Sequence, residues 1–484
     1  MKQLFLSFLL FSCLSTYAQV FQCIVAADGS GQFTSIQTAL TSCPDNVRSL
    51  VFVKNGIYNE QVSLGTSTAA STKLISLIGE SANGVIITHS QSRASSGSPT
   101  FEDICTVKIY ASDFYAENIT IQNTAGNTGM AEALYTAGDR QTFRNCRVLG
   151  YQDTYRSRKG TRGYFKNCWI EGAVDFIYAG GIEFFDDCTI NCVNGGGYIV
   201  APEDAYVTIP RASTVCQKFL RVGFFFRNCA ITANSNVAAG TYYLGRPWNT
   251  TAGAFYLNCK LGSHINAAGW KAMGGNETTA SFAEYNSMDA AGVPVDVTGR
   301  VSWSFQLPKA DVDNLMSTAG IYGLVTGTVY EPTSICIAPA VPSIITTTSN
   351  SITWNKTNGV SGYIVLKDGN YLTSIPDTTF TDNTGISGVY SVKSVGTLGQ
   401  LSNAASAITA IDQVNEDAFS ARVENKLIYL RQASATLLLY STNGTLAGAA
   451  ENCTTYSVEG LSKGVYILKL KDINGRTRTR KIIL

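Results

Sequence analysis

Two aspartates, Asp153 and Asp175, stand 22 residues apart in short runs of small, apolar and aromatic residues. The runs read Gly150-Tyr151-Gln152-Asp153-Thr154-Tyr155 and Glu171-Gly172-Ala173-Val174-Asp175-Phe176. Few other charges lie near them. If the two side chains meet, like charges in contact cannot both ionise easily, and one keeps its proton. One protonated and one ionised carboxyl form an acid–nucleophile or an acid–base pair. An aspartate on its own is more often a turn cap or a solvated side chain. What favours chemistry here is register: the surrounding chain repeats with nearly the same period.

The repeat is an aromatic-x-Asn/Asp-Cys pattern. It occurs at Phe143–Cys146, Phe165–Cys168, Phe185–Cys188, Phe226–Cys229 and Tyr256–Cys259. The first three cysteines are 22 and 20 residues apart. The next gap, 41, reads as two periods, and the last, 30, as one period plus an insertion. A short unit rich in β-branched and aromatic residues is a solenoid signature. Helical solenoids need longer units, and no leucine ladder is present. The expected fold class is all-β: a right-handed single-stranded parallel β-helix followed by two small β-sandwich-like modules. Residues one coil apart then lie on neighbouring strands about 4.8 Å apart, which sets the two carboxylates side by side.

The rest of the chain bounds the reading. A length of 484 residues implies two or three domains. A net charge of +1 gives no electrostatic case for nucleic acid or a membrane surface. Residues 1–18 carry Lys2, the apolar run Leu4–Leu14 and small residues before Gln19, as a cleaved secretory signal does. Lipidation at Cys13 is disfavoured by the bulky Phe11. No other stretch is apolar enough to span a membrane. The Asn-Cys thiols read as stacked, free core residues; Cys168 and Cys188 are also placed to bridge, since export permits disulfides. With only His89 and His264 in the chain, neither a zinc site nor a Ser-His-Asp triad is expected, and no metal or other cofactor is called for. Phe33, Ile36, Ala39 and Leu40 have helical spacing and predict a helix that caps the open end of the solenoid.

Residues 22–307 resemble a pectin methylesterase. The resemblance is carried by Ala27–Phe33, Gly56-Ile57-Tyr58-Asn59-Glu60 and Asn118–Asn123. It continues through Gly150–Tyr155, Gly172–Phe176 and Leu244-Gly245-Arg246-Pro247-Trp248, and ends with Gly269-Trp270 and Glu284-Tyr285. Their order over nearly 300 residues makes it specific. It implies hydrolysis of galacturonate methyl esters in pectin, with methylesterified homogalacturonan as the partner. Asp175 would attack the ester carbonyl. Asp153 would protonate departing methanol and then activate water. Gln152 would donate to the oxyanion, and Arg246 would hold Asp175 ionised. Trp248, Phe176 and Tyr155 would contact the sugar chain. The family's second oxyanion glutamine is replaced by Met130 in Met130-Ala131-Glu132-Ala133-Leu134, and a thioether offers no N–H. Glu132 is expected on the same strand face, adding a charge near the cleft. Met273 stands where a second family tryptophan is expected.

Residues 19–330 are therefore read as the esterase-like β-helix. Residues 338–412, with Trp354, Tyr363 and Tyr390, resemble a fibronectin type III domain, most simply a spacer. Residues 413–484 resemble a type IX secretion C-terminal sorting domain, implying contact with secretion machinery. The expected protein is a monomer, secreted or at the cell surface after export through the periplasm. Two readings compete with the esterase. A retaining glycosidase also uses carboxylates about 5 Å apart. A non-catalytic pectin-binding β-helix would explain Met130.

Overall fold

The computed structural model describes residues 19–94, 100–205, 207–210, 219–315, 317–325, 327–348, 350–384, 388–407, 421–424, 426–441, 444–471 and 477–483. The signal-like segment 1–18 lies outside the described residues. From Cys23 to Gln306 the described chain winds through three parallel sheets of 11, 7 and 9 strands, a parallel β-helix. Most coils give one short strand to each sheet.

The recurring tetrapeptide explains the winding. Its aromatic residue lies in a strand of the 11-stranded sheet. The Asn or Asp then turns the chain in the left-handed region, with φ of 53° at Asn145, 53° at Asn167, 52° at Asp187, 55° at Asn228 and 53° at Asn258. Asn and Asp tolerate that conformation better than other residues bearing a Cβ. The cysteine after it points inward. Cys146, Cys168, Cys188, Cys229 and Cys259 are all buried and free, so Cys168 and Cys188 do not bridge. Beside them the rings of Phe143, Phe165, Phe185, Phe226 and Tyr256 stack with centroids 4.7, 5.0, 4.7 and 4.4 Å apart.

One count differs from expectation. The 41-residue gap is a single coil, because Phe185 pairs directly with Phe226 and Ile190 with Ile231. The extra length is an excursion that includes an antiparallel pair, Thr208–Pro210 against Phe219–Arg221. The spacing of a solenoid motif counts residues, and an excursion from the coil adds residues without adding a coil.

The helix Ile36–Ser42 is N-capped by Ser35, whose hydroxyl accepts from the Thr38 N–H. It buries Ile36, Ala39 and Leu40 in the solenoid core at its N-terminal end. The outer face of the 11-stranded sheet is covered twice. Toward its C-terminal strands, Val312, Ile321, Tyr322 and Tyr330 pack on Phe184, Phe225 and Phe255. Toward its N-terminal strands, Ile364, Leu366, Val395 and Leu401 of the following module pack on Leu50, Phe52 and Ile78. The Leu401 N–H donates to the Glu117 carboxylate and the Tyr371 N–H to Glu80. That module is thus fastened to the solenoid rather than spaced from it.

Beyond residue 340 the described sheets are antiparallel, of three, four and five strands on their main paths. Trp354 and Tyr363 meet edge-on at 5.3 Å inside the first two. In the last sheet one long strand, Leu427–Ser441, pairs with Leu446–Ser457. No helix among the described residues is long and apolar enough to cross a membrane.

Candidate active site

The strands Leu134–Thr136, Tyr155–Ser157, Val174–Ala179, Tyr198–Pro202 and Tyr243–Gly245 are neighbours in the seven-stranded sheet. Just before the strands Leu134–Thr136 and Tyr155–Ser157 and at the start of Val174–Ala179, single bridges join Met130 to Gln152 and Gln152 to Val174. The Asp153 N–H donates to the Val174 carbonyl, and Tyr155 pairs with Ile177. Asp153 and Asp175 therefore occupy equivalent positions on adjacent coils, a strand spacing of about 4.8 Å. Both are in the left-handed region, with φ of 60° and 49°. A β-bulge lies at Asp175: Val174 pairs with Tyr198, but Ile177 pairs with Val200. The extra residue re-aims the side chain, as bulges beside functional sites do. Gly172 makes room, since a Cβ there would meet the Phe176 Cβ at 2.2 Å.

The two carboxyls have different environments. Arg246 donates from Nε to Asp175 Oδ1 at 2.9 Å and from Nη2 to Oδ2 at 2.6 Å. The guanidinium is backed by the Tyr198 ring, 3.9 Å from its centroid. Asp153 is only 6% exposed, and no hydrogen bond reaches its carboxyl among the described residues. Burial, then the negative charges of Glu132 and Asp175, push its pKa up to about 8, against the opposing pull of Arg156 and Arg246. One carboxyl thus has two guanidinium donors, and its neighbour, which has none, holds a proton near neutrality.

Gln152 lies beside Asp153, and its side-chain amide has no protein partner among the described residues. Trp248 is 43% exposed and 5.7 Å from Tyr178. Met130 occupies the Gln152-equivalent position one coil earlier. Tyr155 and Phe176 do not face the cleft. Both are fully buried, Tyr155 against the Phe165 and Phe185 rings with its hydroxyl on Thr136, and Phe176 in the solenoid core. Their assignment to the sugar chain is corrected: the left-handed bend at Asp153 turns Tyr155 inward, and Phe176, next to Asp175, faces the side opposite to it. Glu132 is fully buried, and its charge acts on Asp153 from the neighbouring coil. The residues that do point outward were missed. Tyr135, Arg156 and Tyr178 pair across three successive coils. Adding the period of 21 to 22 to any one of them would have found the others.

A family model described as Pectinesterase matches residues 22–319. Among curated relatives, Pectinesterase A of Emericella nidulans is 32% identical over 272 residues, which are 54% of this chain and 78% of that protein. The chain spans about half the length of several longer plant relatives. Among solved structures, pectin methylesterase from carrot matches with a TM-score of 0.54 and 27% identity, over 63% of this chain and 93% of that one. The pectin methylesterase of Erwinia chrysanthemi matches with a TM-score of 0.52 and 25% identity, over 64% of this chain and 99% of that one.

Proposed function

Because the chain belongs to the pectinesterase family, we propose that it hydrolyses the methyl esters of galacturonate residues in pectin through an aspartyl acyl-enzyme, with Asp175 as nucleophile and Asp153 as acid and base. The observation that carries this reading is the asymmetry of the pair: Asp175 is held by two guanidinium N–H groups, whereas Asp153 is buried without a donor.

Each step follows from that asymmetry. The Asp175 carboxylate attacks the ester carbonyl, and negative charge develops on the carbonyl oxygen. The Gln152 amide is free to donate to that oxygen, an interaction typically worth about 3 kcal/mol of barrier. Asp153 gives its proton to the departing methoxide, releasing methanol and leaving an acyl–Asp175 anhydride. The now ionised Asp153 takes a proton from water, and the hydroxide attacks the acyl carbon. Asp175 departs as carboxylate, Asp153 is protonated again, and the product is a free galacturonate. Trp248, exposed beside Tyr178, is suited to stack on a sugar ring. A retaining glycosidase would use a similar carboxylate spacing, but membership of an esterase family favours acyl chemistry.

The flanking modules belong to the same proposal. The antiparallel sheets within 338–412 support a fibronectin type III-like module. The five-stranded sheet within 413–484 supports a sorting module that meets secretion machinery, with the protein, a monomer, secreted or displayed after export through the periplasm.

The test is methanol release from highly methylated pectin by the purified chain and by Asp175→Ala. Methanol from the parent and none above background from the variant is the expected result. A well-folded parent that releases no methanol, or an active Asp175→Ala protein, would overturn the reading.

A further inference from the structure

The strip of side chains behind the cleft holds one more carboxyl than the reaction uses. The Ala131 N–H donates to the Gln152 carbonyl and the Ala133 N–H to that of Thr154. These bonds bracket Glu132 and set it on the coil next to Asp153. Glu132, Asp153 and Asp175 thus form a three-carboxyl column on successive coils. Glu132 is fully buried. Its Oε1 accepts from the Tyr178 hydroxyl at 2.5 Å, and its Oε2 has no partner.

The groups facing this column can be counted. Arg246 pairs with Asp175. Arg156 lies between the Phe101 and Tyr135 rings, at 4.9 and 4.7 Å from their centroids, and acts on both Glu132 and Asp153. Arg93 is exposed at the outer edge and acts on Glu132 from there. Cys105 and Tyr178 are neutral, since burial raises both well out of the neutral range. Leaving aside the exposed Arg93, the strip therefore sets three carboxyls, two of them buried, against two half-buried guanidiniums. It is electrically balanced when one carboxyl is protonated. An unbalanced buried charge is costly, so a proton is retained. Donors decide where it sits. Asp175 has two from Arg246 and Glu132 has one from Tyr178, whereas Asp153 has none among the described residues.

We propose that Glu132 is a positioning residue for the proton of Asp153: it is the surplus carboxyl that obliges the strip to keep one proton, and its hydrogen bond from Tyr178 directs that proton to Asp153. This rests on the reading of Asp153 as the acid that protonates methanol. Glu132 touches no substrate; it acts only through its neighbour. Burial alone raises Asp153 in part, and Glu132 supplies the next largest contribution, ahead of Asp175.

The test is Glu132→Gln, which keeps the shape and can still accept from Tyr178. The high-pH limb of kcat/KM for methanol release is expected to move down by about one pH unit or more, because a neighbouring negative charge is gone. KM at low pH is expected to change little. Infrared difference titration against Asp153→Asn follows the carbonyl stretch of the protonated Asp153 carboxyl directly, and that stretch should vanish at correspondingly lower pH. If Glu132→Gln does not fold, Tyr178→Phe replaces it, since losing the donor draws the proton to Glu132 and moves the limb the same way. A limb and a carboxyl stretch that stay where they are in the parent would overturn the proposal. The infrared titration needs no turnover. A parent that releases no methanol would therefore sink the esterase reading and leave this proposal to be decided by the spectrum.

Discussion

Arg246 grips both oxygens of Asp175 from two coils further along the solenoid, at 2.9 and 2.6 Å. The ladder brings the two residues together across 71 positions of sequence, because Asp175, Tyr198 and Tyr243 lie on consecutive strands of one sheet. The pair is only partly exposed, 24% and 14% at the two side chains, so water does not fully replace it. Removing the guanidinium leaves a half-buried carboxylate unpaired, a cost of about 3 kcal/mol. Arg246→Ala is expected to lower kcat roughly 100-fold, and Arg246→Lys, a point charge without the fork, by less. Initial rates of methanol release at saturating pectin measure both. A fall of less than threefold in the alanine protein would remove Arg246 from the machinery.

The alkaline limb of the reaction belongs to Asp153. Asp153 must hold a proton for methanol to leave, and its pKa is pushed up to about 8 by burial and its carboxyl neighbours. The rate is therefore expected to fall as pH rises through about 8. Stability has the same sign. A carboxyl whose folded pKa is raised favours the fold below the unfolded value near 3.8, and that advantage is lost as pH rises through the folded value. Asp153→Asn removes the penalty of burying the anion. It should be inactive yet raise Tm, relative to the parent, more at pH 9 than at pH 5. Equal shifts in Tm at the two pH values would show that Asp153 does not titrate in this window.

Met130 can be tested by restoring what the chain lacks. It bridges to Gln152 across one coil, so a glutamine there would stand in register with the existing amide. One well-placed oxyanion donor is worth about 3 kcal/mol where the site is built for it. Here the surroundings have adapted to a thioether, and Met130→Gln is expected to raise kcat by a smaller factor, about tenfold, with KM little changed. An unchanged kcat would mean that Gln152 and the backbone already saturate the need for donors.

What the sequence disclosed depended on whether a feature repeats. The coil period was legible because Phe143, Phe165 and Phe185 must stack and Asn145, Asn167 and Asp187 must bend, so the same residue types return at each turn. The adjacency of Asp153 and Asp175 followed from that period. The period failed at the 41-residue gap, where an excursion adds length without adding a coil. Side-chain direction was not legible at the site itself. Strand parity holds only while φ stays extended, and Asp153 and Asp175 both lie in the left-handed region. The resemblance, not strand parity, had given Tyr155 and Phe176 to the sugar chain, and both point into the core; Arg156 and Tyr178, on the outer face, belong to no repeat that announces them. The attachment of the module beyond residue 340 was invisible for another reason: Leu401 and Glu117 meet 284 residues apart with no motif to announce it.

The inward turn of Tyr155 and the outward turn of Trp248 give the last prediction its contrast. Tyr155 is fully buried between Phe165 and Phe185, with its hydroxyl 2.8 Å from Thr136. Tyr155→Phe keeps the ring and loses one buried hydrogen bond, so it should cost about 1 kcal/mol of stability and leave KM alone. Trp248 is 43% exposed and rests against Tyr178. Trp248→Ala should lower the urea midpoint only modestly, since 43% of the residue is already exposed in the free protein. It should raise KM about tenfold, which is roughly 1.4 kcal/mol of lost stacking and apolar contact with a sugar ring. Urea unfolding and pectin saturation curves on the two proteins separate the roles. If Tyr155→Phe raised KM while Trp248→Ala did not, the cleft would lie on the other side of the strand, and the inversion of parity at Asp153 would be wrong.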